Sequence, residues 1–273
     1  MSGGLDQGHV DRGGFRLSVA VSGRREGAPA LLVSNSLGAS MRMWAPQLAL
    51  LESRYRVIRY DTRGHGGSDS PPGPYSFDDL VGDMLAVLDH AGAGRADVLG
   101  LSLGGMTALG LGLAAPGRVG RMVVVAARAD NPPPFVKSWD DRIAAIHAGG
   151  GVGAIWPGTL ERWLTPEFQA ANPTAVEDLR REFLRTTVAG YEGCARALQG
   201  LNYLGRLGEL DHEVTYVAGA QDMGAPADAM RAMAAATPRA SFHAIAEAAH
   251  IVNVNVTEAF NAIIGEVLTG AGQ

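Results

Sequence analysis

"VLGLSLGGM", residues 98–106, runs from an apolar strand into a glycine-flanked serine and on into a helix. Within it, Gly100-Leu101-Ser102-Leu103-Gly104 is a G-x-S-x-G match. A chain with this glycine and serine content would show such a match roughly 0.2 times by chance, so the pattern alone decides little. Its surroundings decide more. The strand spans Ala96 to Leu101, and the helix runs from Leu103 to Ala115, where Pro116 stops it. A strand-to-helix turn at the serine crowds the positions two before and two after it, so both must lack a Cβ. Such a turn lifts the hydroxyl above the carboxyl edge of a sheet and aims the N–H groups of a helix start at the reacting atom. The competing reading is a glycine-rich helix start with Ser102 as its cap.

Working outward, short apolar runs alternate with helical patterns, as in βαβ units on a parallel sheet. Phe15 to Val21 alternates like a half-exposed strand, and Ala30 to Val33 reads as a buried one. A helix is expected from about Trp44 to Glu52 and a strand from Tyr55 to Tyr60. Ser76, with Asp79 three residues on, predicts a capped helix to Ala91 carrying Leu80, Met84, Leu85 and Leu88 inward. The strand Arg121 to Ala126 follows. The rhythm breaks at Asn131-Pro132-Pro133-Pro134; from there to about Gly208 the pattern is helical, with three of the four tryptophans. It resumes with Val214 to Ala218, a helix from Pro226 to Ala236, Ala240 to Ile245 and a last helix from Val256 to Leu268. The expected class is α/β: a mostly parallel central sheet flanked by helices, with core segments 1–130 and 209–273 and a helical insertion at 131–208.

Composition bounds the function. With 273 residues, 47% hydrophobic and a net charge of −5, the chain can bury a large core and has no basic run to suit nucleic acid. "MSGGLDQGHVDRGG" lacks the apolar stretch of a signal peptide, and no run reaches the ~18 residues of a membrane span. The single cysteine, Cys194, excludes an internal disulfide and reads as a small buried hydrophobe. A cytoplasmic protein, monomer or homodimer, is expected.

A serine hydroxyl needs an oriented base to act as a nucleophile. On a sheet of this kind the acid and base follow the serine along the chain. "VAGAQDMGAP" places Asp222 just beyond a late strand, and "AIAEAAHIVN" places His250 just beyond the last. Asp130, after the strand ending at Ala126, is the alternative acid. His65 lies in "DTRGHGGSD", a loop read as structural and tied down by Asp61, Arg63 and Asp69.

The strand ending in "NSLG", the loop "RYDTRGHGGSDSPPGPYSFDDL", the elbow "GLSLGGM", "GAQD" and the late "AHIVNV" together resemble the α/β-hydrolase superfamily. Within it the chain is most similar to the 3-oxoadipate enol-lactonases of aromatic-compound degradation. The resemblance is dense from about Ser34 to Ala127, fainter through the insertion, and returns around Asp222 and His250. It implies a cofactor-independent, metal-free serine hydrolase of a small lactone or ester, with Ser102, Asp222 and His250 as its triad. Two backbone N–H groups would bind the oxyanion: Leu103 in the elbow and Leu37 in "NSLG", where Gly38 lets the chain turn. The insertion becomes a helical cap. Its "SWDDRIAAI" offers Trp139 and Arg142, one helical turn apart, to hold an anionic substrate's carboxylate. Equally open is that Trp139 packs the cap onto the core while Arg142 pairs with Asp140 or Asp141. A carboxylesterase or perhydrolase acting on a neutral ester, and a slow-turnover sensor on the same fold, are the rival functions. The chain departs from the family in two places. "HIVNVNVTEAF" lacks a proline expected soon after the histidine, and the insertion matches poorly after Ile146.

Overall fold

The computed structural model describes residues 6–24 and 27–269. The expectation about the N-terminal stretch falls partly on residues 1–5, which lie outside the described residues. Among the described residues, eight strands form one sheet: β1 (Asp6–Asp11), β2 (Arg16–Gly23), β3 (Ala30–Ser34), β4 (Arg56–Tyr60), β5 (Ala96–Leu101), β6 (Val119–Val125), β7 (Val214–Gly219) and β8 (Ala240–Ile245). Their spatial order is β1-β2-β4-β3-β5-β6-β7-β8; β2 runs antiparallel to both its neighbours, β1 and β4, and all other neighbouring pairs are parallel. Leu31, Leu32, Val33 and Val123 to Val125 are fully buried, because helices cover both faces of the parallel strands.

The chain leaves β3 for β4 on one side and returns to β5 on the other. The strand order therefore reverses at β3, and a crevice opens at the carboxyl ends of β3 and β5. Ser34 pairs with Gly100 across that junction, so residues 35–38 and 101–103 emerge side by side.

Eleven helices lie among the described residues, with short 3-10 turns between some of them. α1 (Leu48–Glu52), α2 (Phe77–His90) and α3 (Leu103–Ala114) precede β6. α4 (Pro133–Ala148), α5 (Trp156–Trp163), α6 (Pro166–Ala171), α7 (Pro173–Phe183) and α8 (Val188–Gln199) lie between β6 and β7. α9 (Ala227–Ala236), α10 (Val252–Asn255) and α11 (Thr257–Ile264) complete the set. The Ser76 and Asp79 capping box on α2 is present in both directions, at 3.2 and 2.9 Å. No strand interrupts residues 133–199, and no described helix is long and apolar enough to cross a membrane.

Three local expectations are corrected. The helix expected from Trp44 begins instead as a 3-10 turn at Met41–Gln47, since Pro46 has no N–H to donate and crowds the preceding turn. The last helix begins at Thr257 as expected, but a short helix that was not anticipated, α10, precedes it, and Val256 with φ −137° separates the two. β1 was not anticipated: in "DQGHVD" only Val10 is buried, so an edge strand pairing on one side carries no apolar alternation.

Residues 133–199 roof the crevice. Their interior is aromatic: Trp156, Trp163, Phe183 and Tyr191 stack in tilted and edge-on pairs with centroids 5.3–6.3 Å apart. One end of this roof meets the "RGHGG" loop backbone to backbone. A Cβ on Gly64 would lie 2.3 Å from the Gly190 Cα, and the Thr187 N–H donates to the Gly64 carbonyl at 2.9 Å. Neither glycine position can carry a side chain without moving the roof.

Candidate active site

Ser102 sits between β5 and α3 with φ +55° and ψ −117°, a strained conformation for a residue with a side chain. Its side chain caps no helical N–H, so the simple N-cap reading is set aside. The flanking glycines are obligatory on steric grounds. A Cβ at Gly100 would come within 2.4 Å of the Gly104 carbonyl oxygen, and one at Gly104 within 2.4 Å of the Ser34 oxygen. The turn is held by Ser102 N–H to Val125 O at 2.8 Å and Gly104 N–H to Asn35 O at 3.0 Å. Leu103, the first residue of α3, lies in the turn whose N–H groups have no partner within the helix.

Across the crevice, the loop after β8 brings His250 to the loop after β7. His250 Nδ1 bonds Asp222 Oδ2 at 2.7 Å. A carboxylate only accepts, so Nδ1 is the donor in this bond. Asp222 is itself fixed: its other oxygen accepts the N–H groups of Gly224 at 2.7 Å and Ala225 at 3.1 Å. Its side chain is fully shielded from solvent. Asp130, the alternative acid, instead receives Arg128 at 2.8 Å and stands half exposed. Ser102 and His250 line one cavity of about 340 Å³, together with Ser36 and Leu37 of the "NSLG" loop.

That loop is organised from below. Gly38 has φ +82°, and a Cβ there would strike the Phe183 ring at 2.7 Å. Its N–H donates to His65 Nε2 at 2.9 Å, while His65 Nδ1 donates to the Arg63 carbonyl at 3.0 Å. Burial pushes the His65 pKa down to about 4, so the ring stays neutral and keeps Nε2 as an acceptor. Asn35 adds two anchors, donating to Tyr60 O at 2.7 Å and accepting from Trp44 Nε1 at 3.0 Å. The remaining ties agree with the sequence reading. Asp61 accepts from Met41 and Gly67, Arg63 forks onto Asp83, and Asp69 accepts the Arg16 N–H. Sequence reasoning placed His65 in a structural loop but missed that it holds the "NSLG" turn; no sequence spacing links residues 38 and 65.

The roof supplies the rest of the wall. Trp139 and Arg142 both line the cavity, with the guanidinium carbon 4.1 Å from the Trp139 ring centroid. Trp139 is also packed against Phe135 and Tyr191, so its packing and lining positions coincide. The surface pairing considered for Arg142 is not formed: Asp140 goes to Arg196 and Asp141 to Lys137. Arg162 and Arg128 face the cavity too and were not singled out in the sequence. The four-residue spacing of Leu160 and Leu164 around Arg162 looks like an ordinary amphipathic helix, so no signal marked it.

The missing proline after His250 has a structural counterpart. Asn253 and Asn255 are buried there. Asn253 donates to the Met43 carbonyl at 2.8 Å, and Asn255 Oδ1 accepts from the Ala249 N–H at 2.8 Å and the Thr165 N–H at 3.4 Å. The histidine loop is thereby tied to the 3-10 turn on one side and to the roof on the other. Cys194 is buried in α8, where desolvation pushes its thiol pKa up. Among the described residues, no group of three His, Cys, Asp or Glu side chains is placed to hold a metal ion.

A family model described as "alpha/beta hydrolase fold" matches residues 29–255. The chain belongs to the α/β-hydrolase fold family. Among its relatives, this α/β-hydrolase is 33% identical over 240 residues to 3-oxoadipate enol-lactonase 2 of Acinetobacter baylyi, covering 88% of each chain. It is 32% identical to a protein provisionally assigned as the carbamate hydrolase RutD in Caulobacter segnis, over 90% of this chain and 93% of that one. The solved enol-lactonase of Burkholderia xenovorans LB400 superposes with a TM-score of 0.91 at 31% identity, covering 96% of this chain and all of that one.

Proposed function

We propose that this ester hydrolase opens a small lactone, 3-oxoadipate enol-lactone, to 3-oxoadipate through a serine acyl-enzyme. The observation that carries the reading is the 2.7 Å His250–Asp222 bond facing the same cavity as Ser102 on its strained turn. Likeness to enol-lactonases in both sequence and structure supports the choice of substrate.

His250 Nε2 takes the Ser102 proton as Oγ attacks the ring carbonyl, and Asp222 steadies the imidazolium. The tetrahedral oxyanion receives the N–H groups of Leu103 and Leu37. Collapse breaks the ring C–O bond; the enol oxygen departs, still attached to the acyl chain, and takes the proton from His250. Water, activated by His250, then attacks the acyl-enzyme and releases Ser102 with a carboxylate product. The freed enol tautomerises to the ketone. No step calls on a metal or cofactor. Residues 131–208 act as the cap over this chemistry, and Trp139 with Arg142 grips the substrate's carboxylate.

Ser102→Ala should lower kcat on the enol-lactone by about three orders of magnitude or more, with the fold unchanged by circular dichroism. Near-normal turnover would overturn the assignment. A panel containing the enol-lactone, neutral lactones, carbamates and p-nitrophenyl esters separates it from its rivals. Equal turnover of neutral esters would point to a general carboxylesterase. Stoichiometric labelling by a fluorophosphonate with no multiple turnover would point to a sensor.

A further inference from the structure

The charge inventory of the catalytic cavity is one-sided. Three guanidinium groups line it, from Arg128, Arg142 and Arg162, and its lining contains no aspartate or glutamate. Arg128 is answered by Asp130 at 2.8 Å just outside the wall. Among the described residues, Arg142 and Arg162 form no ion pair, since the nearby acids of α4 are engaged elsewhere: Asp140 by Arg196 and Asp141 by Lys137. The hydrogen bond of the Arg162 guanidinium to Thr159 Oγ1, at 3.2 Å, leaves most of its donors to the cavity.

Two like charges side by side in a partly desolvated wall destabilise each other. The effect is visible in Arg162, where burial and then the neighbouring Arg142 push the pKa down to about 10. A structural arginine is ordinarily matched by a carboxylate or a set of carbonyls; here Arg142 has the Tyr191 hydroxyl and Arg162 that of Thr159, so a negative charge has to arrive with the ligand. A carboxylate has two oxygens and about four lone-pair sites, enough for two planar forks. The cavity is the right place for one. Trp139 holds the Arg142 plane, and Thr159, one turn before Arg162 on α5, steadies the other.

We propose that Arg162 is the second jaw of a two-guanidinium clamp, with Arg142, that binds a carboxylate of the substrate and sets the preference for anionic over neutral esters. The clamp rests on the ester-hydrolase reading of the cavity and names a specificity residue on a helix distinct from that of Trp139 and Arg142. The position of Arg162 also matters for catalysis. Its carbonyl accepts the His250 N–H at 3.3 Å, and the Trp163 carbonyl accepts the Ile251 N–H at 3.0 Å. One short segment thus bears both the carboxylate anchor and the backbone rest of the base. Anchoring the anion there sets the distance between the scissile carbonyl and His250.

The test uses two matched esters, mono-p-nitrophenyl glutarate and p-nitrophenyl pentanoate, alike in chain length and differing in the terminal carboxylate. Arg162→Gln should cut the ratio of kcat/KM for the glutarate ester to kcat/KM for the pentanoate ester about tenfold or more, the scale of a lost charged hydrogen-bond pair. Arg162→Lys should fall between, keeping the charge but losing the fork. Arg142→Ala and Arg162→Gln should combine to less than the product of their separate effects, because both act on one carboxylate. Calorimetric titration of glutarate into folded Ser102→Ala should show a Kd about tenfold weaker once Arg162→Gln is added. Equal losses on both esters, no loss on the glutarate ester, or unchanged glutarate binding would each overturn the clamp. Failure to open the enol-lactone would remove the substrate assignment yet leave these ratios readable. An active lactonase whose anion preference ignores Arg162 would remove the clamp alone.

Discussion

The floor and the roof of this cavity are built on different terms. The floor is a set of backbones in contact, Gly104 against Ser34 and Gly100 against Gly104, with the Gly38 N–H held by the His65 ring. The roof is a set of side chains in contact, Trp156 on Phe183, Trp163 on Phe183, Trp139 under Arg142. A backbone contact admits a single residue type and tolerates almost no displacement. A side-chain contact can be remade by another shape of similar volume. The floor therefore suits the part of the reaction common to any ester, and the roof the part that distinguishes one ester from another.

The strongest challenge to that division is Gly104→Ala. Its Cβ would be driven into the Ser34 carbonyl, so we expect destabilisation above about 3 kcal/mol and turnover lost on every ester, read by urea unfolding and by kcat. A stable, active Gly104→Ala would mean that the floor yields as the roof does.

His65→Ala comes next. Losing the acceptor for the Gly38 N–H should free the "NSLG" turn and cut kcat about tenfold to a hundredfold on anionic and neutral esters alike, with KM little changed. The same residue gives a pH test. Its folded pKa, about 4, lies below the ordinary 6.5, so the unfolded chain takes up the proton first as the solution is acidified. The stability this neutral, buried ring contributes is complete above pH 6.5 and is lost as the pH falls towards 4. Urea unfolding across that window should be less pH-dependent in His65→Gln; an identical profile would show that the ring's protonation is not coupled to folding.

The smallest effect expected is at the seam between the two regions. Asn255→Ala removes the tie from the Ala249 N–H to the roof at Thr165, at a cost of about 1–3 kcal/mol in thermal unfolding. A drop in kcat of about threefold to tenfold should accompany it, with KM for anionic and neutral esters moving together. An unchanged kcat would show that the base loop keeps its place without the roof.

The same contrast explains what could be read from the sequence. Gly100, Ser102 and Gly104 were legible because close backbone approach leaves only glycine, and leaves it at fixed spacing. Asp222 and His250 were legible because each follows a strand whose apolar run marks its end. Arg162 was not, since one arginine on an amphipathic helix looks the same whether it faces water or a cavity. The tie between Gly38 and His65, and those made by Asn253 and Asn255, join positions far apart in the chain, so only the folded arrangement reveals them. β1 was invisible for a simpler reason: a strand that buries one side chain has no pattern to show.

The contact between Gly64 and Gly190 bears on how such roofs diversify. Because those two backbones touch, the end of the roof near residue 190 is seated on the floor with no side chain between them; the end of α5 adds backbone ties from Arg162 and Trp163 to the His250 loop, while α4 and α7 meet the floor through replaceable packing. New specificities can accumulate by insertion and substitution along α4 and α7 without disturbing that seat. A graft of a foreign roof has to bring a glycine to the same joint, or the whole module would sit displaced over an otherwise intact floor.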